Sequence, residues 1–190
     1  MEMIRTLSRR RTSCRNFTDE VLPKEKLTEL INNSVWVPSG SNNQPWRFVV
    51  ITDKAKIKAY SDAAKKMWLE NLPTSPHMQQ YEKTFRDPTA NIFYNASSII
   101  IIYGNTESYW YIYDCSMVAG NLHLLAEEEE LGCCWIGEAH NIFADPIVKK
   151  ELGVPENYAL VAPLIIGHPA GKKSVTESSN KRKPFKIIFA

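Results

Sequence analysis

Residues 97–103 read SSIIIIY, and the four consecutive isoleucines decide the fold class. Branching at Cβ favours the pleated backbone, and successive residues of a strand point to opposite faces. A run with no polar alternation is therefore a strand buried on both sides, which requires cover on each. Residues 158–167, YALVAPLIIG, form a second buried strand, and residues 47–52, RFVVIT, have strand composition. Residues 133–137, CCWIG, make a short apolar strand or turn.

The segments between them are helical. A short helix fits residues 3–10, and another begins at Pro23 with Leu27, Leu30 and Ile31 at helical spacing. Asp53 is placed to cap a helix that reaches about residue 69, with Ile57 and Ala64 on one side. Residues 110–131 make a long helix, apolar around most of its circumference and ended by Gly132, so it is central or at a subunit interface. Residues 144–152 are helical. Residues 71–88 carry three prolines and read as irregular with one short helix. The tail from 172 to 190 is polar and basic until it turns apolar at Phe185, and such a tail must dock somewhere to be ordered. Few strands and long helices predict one α+β domain over residues 1–190, a central mixed β-sheet flanked by helices.

Composition narrows the function. The chain is 44% hydrophobic and 23% charged, and Lys plus Arg at 23 against Asp plus Glu at 21 leave a formal charge of +2. That balance gives no bulk attraction to nucleic acid or to an anionic membrane, so any cationic site is local. The cysteines Cys14, Cys115, Cys133 and Cys134 form no CxxC pair and read as reduced packing residues of a cytoplasmic protein. No apolar run approaches the ~20 residues of a membrane helix.

Residues 36–48, WVPSGSNNQPWRF, join a helix to a strand with a loop crowded by hydrogen-bonding groups between two prolines. An exposed turn and a ligand-holding loop fit that composition equally, and the flanking rings of Trp36 and Trp46 favour a fixed shape. Elsewhere there is no GxG fingerprint, no GxxxxGK[ST] loop, no HExxH and no GxSxG. What remains is Arg9, Arg10, Arg11 and Arg15 near the start and Lys181, Arg182 and Lys183 near the end. Each cluster alone reads as solvated surface; together they can clamp one phosphate, a task suited to the rigid donor fork of arginine.

These stretches resemble one family. Residues 11–17, RTSCRNF, are similar to the RRSxRxF segment of the FMN-dependent nitroreductases, and residues 38–46, PSGSNNQPW, to that family's PSxxNxQPW loop. Residues 131–138, LGCCWIGE, resemble its LGLGxxWIG segment, and Arg182-Lys183-Pro184 its C-terminal arginine-x-proline. Thr12 stands where a second Arg or a His is usual, and Asn180 where some relatives have Lys.

The resemblance implies a nitroreductase-like, domain-exchanged homodimer with FMN at the subunit interface. In that arrangement Arg11, Ser13 and Arg182 lie at the phosphate, Thr12 is a further cofactor-binding position, and Arg15 lies at the N1 and C2 carbonyl edge, where a cation favours the reduced, negatively charged flavin. Pro38, Ser39, Asn42 and Gln44 come from the partner chain, and backbone groups near Gly137 and Glu138 face flavin N5. NADH or NADPH is the transient donor, a nitroaromatic, quinone or similar compound the acceptor, and no side chain is needed as general acid or base. Two other classes remain: a flavin-binding or redox-sensing protein without turnover, and a nucleic-acid or anion-binding module built on Arg9, Arg10, Arg11 and Arg15.

Overall fold

In the computed structural model, residues 2–171 and 183–189 are described. The chain runs α1 (Glu2–Arg10), α2 (Lys24–Ser34), β1 (Trp46–Ile51), α3 (Lys54–Asn71), α4 (Glu82–Arg86), β2 (Ser98–Asn105), α5 (Tyr111–Glu128), β3 (Gly132–Trp135), α6 (His140–Ala144), α7 (Pro146–Glu151) and β4 (Tyr158–Gly167). The strands form one sheet in the order β1-β2-β4-β3. All three strand pairs are antiparallel, and among the described residues parallel pairing enters through one bridge, between Ser13 and Cys133.

The isoleucine run lies in β2, an inner strand, with Ile99 to Ile102 fully buried. Its period of two sorts it between two cores. Ile99, Ile101 and Tyr103 join Ile57, Trp68, Phe93 and Phe143 on one side, whereas Ile100 and Ile102 join Leu27, Leu30, Val118 and Leu122 on the other. The fold is thus a sheet between two helical layers. Each buried isoleucine contributes about 1.5–3 kcal/mol by leaving water, which makes β2 the apolar centre of the domain.

Several boundaries differ from the sequence reading for identifiable reasons. Asp53 does cap α3, its carboxylate accepting from Lys56 N–H at 3.0 Å. Pro23 sits one position earlier than expected, at the N-cap of α2. The expected helix 144–152 is shortened to α7, because Asp145 adopts an extended ψ of 128° before Pro146, which separates α7 from α6, and caps α7 through Ile147 and Val148 N–H. Gly132 does not terminate α5. Glu130 makes that turn at φ 58°, and Gly132 is already in β3, where an added Cβ would stand 2.6 Å from Cys14 Sγ and 2.8 Å from Phe17 Cε1. Among the described residues no helix is long and apolar enough to cross a membrane.

Candidate functional site

Beyond α1 the chain lies against β3. Cys14 N–H donates to Cys133 O at 3.0 Å, and Phe17 bridges to Pro169. The closeness of this contact depends on the missing side chain at Gly132. Ser13 and Arg15 are exposed here, whereas Cys14 turns inward. Arg11 is half-buried near His123 of α5, and burial, with the Arg11 charge added, pushes that imidazole down to about 4. His123 Nδ1 has no hydrogen-bond partner among the described residues.

A second group adjoins it. Ser13 hydrogen-bonds to the Cys134 thiol; burial raises that thiol's pKa, the Arg15 charge and the Ser13 bond oppose the rise, and Glu138 and Cys14 add to it. Arg15 stands with its Cζ 6.0 Å from the centre of the Tyr94 ring. The short turn Gly137–Ala139 follows β3, with Gly137 exposed and Glu138 half-buried. Trp68 Nε1 donates to Glu138 O at 2.6 Å and fixes that turn to α3. Arg11, Ser13, Arg15, Gly137 and Glu138 therefore belong to one region, built around β3.

The loop of residues 38–45 is as constrained as its composition requires, but by different partners. Ser39 Oγ accepts from Gln44 N–H at 3.0 Å, and Gln44 Nε2 donates to Asn42 Oδ1 at 2.9 Å. Ser41, Asn42 and Gln44 all have positive φ, between 47° and 56°. Three non-glycine residues in that conformation mark stored strain of the kind found at ligand sites. Trp36 does not shape the loop, since it is 87% exposed. Trp110 does so instead: a Cβ on Gly40 would lie 2.4 Å from Trp110 Cδ1, so the backbone runs directly over the indole. Asp114, buried on α5, accepts from Gly40 N–H at 3.1 Å through Oδ1, while its Oδ2 has no partner among the described residues.

Within one chain the two regions stand at diagonally opposite corners of the sheet. The loop enters β1, an edge strand, beside Gly104 at the end of β2. The N-terminal segment lies on β3, the other edge, where Cys133 pairs with Ile166 and Ile166 with Ser98 at the start of β2. The corners are separated by most of the length of β2, roughly 20 Å, and by three strand spacings, roughly 14 Å. Pro38, Ser39, Asn42 and Gln44 are thus assembled with each other and not with Arg11, Ser13 and Arg15. Thr12 is half-buried beside Ser13, and Arg182 lies outside the described residues.

The sequence alone does not mark Tyr94, Trp110, Asp114, His123 and Trp68 as neighbours of these regions. None of them lies in a motif that was read, and each reaches its region through tertiary packing.

The profile of the nitroreductase family matches residues 8–168, from the end of α1 to the end of β4. The chain belongs to the nitroreductase family. A protein of Archaeoglobus fulgidus assigned by name to the NADH dehydrogenase/NAD(P)H nitroreductases is 25% identical over 182 residues, covering 93% of this chain and 91% of its own. An iodotyrosine deiodinase of Haliscomenobacter hydrossis is 26% identical over 187 residues, covering 91% and 82%. Among solved structures, an FMN-dependent nitroreductase from Clostridium difficile R20291 superposes with a TM-score of 0.70 at 26% identity, covering 96% of this chain and 98% of that one. The α+β architecture described above, a sheet between two helical layers, is thus the nitroreductase fold.

Proposed function

We propose that the chain works by alternation: a nicotinamide donor and then an oxidised acceptor use the same face of one FMN, with transfer at flavin N5. As a member of the nitroreductase family it is an oxidoreductase, with FMN as cofactor and NAD(P)H as electron donor. Bound FMN supplies the two-electron chemistry. The chain's own residues bind and orient. Arg11 and Ser13, with Arg182, would hold the phosphate, Thr12 would contact the cofactor beside them, and Arg15 would lie at the pyrimidine edge of the ring. The Gly137–Ala139 turn, fixed by Trp68, would present backbone groups to N5. The donor set fits such a group, since a dianionic phosphate needs charge-assisted donors and the segment beside β3 gathers Arg11 and Ser13 next to Arg15.

The observation that carries this reading is the separation of the two motif regions within one chain. Residues 38–44 stand at the far corner of the sheet from Arg11 and Arg15. A second copy brings its loop to the first copy's arginines, and so each site draws on both protomers of a homodimer. Two exposed apolar surfaces support that assembly. Trp110, Ile112, Tyr113 and Met117 on and before α5 are 40–64% exposed, and Phe185, Ile187, Ile188 and Phe189 of the tail are 65–91% exposed. We place the enzyme in the cytoplasm. The visible spectrum tests the central claim: purified protein should be yellow, or take up added FMN, and bleach anaerobically with NADH or NADPH. Failure to take up FMN would overturn it.

The acceptor class has two readings. Nitroaromatics and quinones are the first. The deiodinase relative favours a second, reductive removal of halide from an iodinated tyrosine. Reoxidation of the reduced protein by a nitroaromatic, a quinone and 3-iodotyrosine, measured side by side, separates them.

A further inference from the structure

The loop before β2 holds its residues in an unusual way. Tyr94 has φ 52° and Asn95 φ 58°, and an aromatic L-residue in that region is strained. The loop is pinned on every side. Tyr94 N–H donates to Asn91 O at 2.9 Å, Phe93 N–H to Asn91 Oδ1 at 2.9 Å, Asn91 Nδ2 to Asn95 Oδ1 at 3.1 Å and Ile92 N–H to Ser61 Oγ at 3.0 Å. The nearly buried Lys65 holds the chain just before it, through Ala90 O at 2.7 Å. Phe93 fills the core, and the left-handed step immediately after it leaves Tyr94 half-buried beneath the Arg15 guanidinium. Arg15 also donates to the Tyr94 oxygen.

Arg15 is exposed, and a long side chain of that kind samples many rotamers unless something orders it. A ring beneath the guanidinium and an acceptor at its edge supply that order. Glu138 is the charge that competes. It lies close enough to raise the Tyr94 pKa, second to burial, while Arg15 lowers it, so the hydroxyl stays protonated and neutral. Resting on the FMN reading above, we propose that Tyr94 is a positioning residue of the flavin site, holding the Arg15 guanidinium toward the ring edge and away from Glu138, so that the reduced flavin is favoured.

Tyr94→Gly and Tyr94→Phe, each with and without Arg15→Ala, test this. Glycine accepts a positive φ, so the truncated variant should fold. Tyr94→Gly should lower the preference for reduced over oxidised FMN by about tenfold, read as a fall of ~30 mV in the two-electron midpoint potential. Tyr94→Phe should give a smaller fall, and the affinity for oxidised FMN, set at the phosphate, should stay within about twofold in both. In the Arg15→Ala background neither change should shift the potential further. An unchanged potential in Tyr94→Gly, or an equal shift with Arg15 absent, would overturn the proposal. A wild-type chain that takes up no FMN would instead overturn the flavin reading, and this inference with it.

Discussion

Trp68 Nε1 lies 2.6 Å from Glu138 O, which joins the middle of the domain to the turn that follows β3. Trp68 is 7% exposed and stacks on Phe85, with centroids 6.3 Å apart and an interplanar angle of 10°. One side chain thus packs the core on its face and holds the Glu138 carbonyl at its edge. Trp68→Phe keeps most of the packing and removes the donor. The expected cost is about 1–3 kcal/mol in urea unfolding, because the Glu138 carbonyl loses its partner. Stopped-flow reduction by NADH should slow while the dissociation constant for FMN stays near the wild-type value.

The contact between Gly40 and Trp110 makes a different demand. Gly40→Ala places a methyl group 2.4 Å from Trp110 Cδ1, so either the indole or the loop must move. The loop is strained at Ser41, Asn42 and Gln44, and a small displacement should release it. FMN should dissociate about tenfold faster from Gly40→Ala, at a stability cost in the ordinary 0.5–3 kcal/mol range. Trp110→Ala in the same background should recover part of the affinity by making room, and fluorescence-monitored release of flavin reads both effects.

The sequence carried the fold well where side-chain pattern alone sets the answer. The isoleucine run announced a strand buried on both faces, and Asp53 announced its cap. It carried less where a tertiary neighbour decides. Nothing local shows that Trp110 and not Trp36 supports residues 38–45, because that contact is made across more than sixty residues of chain. The same holds for Gly132, whose position in β3 follows from the closeness of Cys14. The motif residues were legible as a set, but their division between two corners of the sheet depends on strand order, which hydrophobic patterning does not encode.

His123 provides a test that needs no cofactor. Burial, with Arg11 second, brings its pKa from 6.5 to about 4. The unfolded chain takes up the proton near 6.5 and the folded chain only near 4, so between those values the unfolded state binds more protons. Its contribution to stability is therefore complete above pH 6.5 and is lost as the pH falls toward 4, a loss approaching ~3 kcal/mol. His123→Gln removes the titration. Across pH 4 to 7 the unfolding free energy of the variant should change less than that of the wild type, and curves that remain parallel would assign the pH dependence to other groups.

The proposed division of the site between two chains can be tested by complementation. Arg11→Ala should weaken FMN retention at the phosphate, and Asn42→Ala should weaken it through the loop, so each homodimer is expected to be largely flavin-free. In a mixed dimer one site combines both lesions, whereas the other combines an intact arginine segment with an intact loop. Random exchange at equal amounts makes about half the dimers mixed, with one good site in each, so about a quarter of wild-type flavin content should return. Unfolding and refolding the two variants together, followed by desalting and a flavin spectrum, measures that fraction. Recovery no greater than the mean of the separate variants would mean that each chain builds its site alone, and would require residues 38–44 to act far from the arginines of their own protomer.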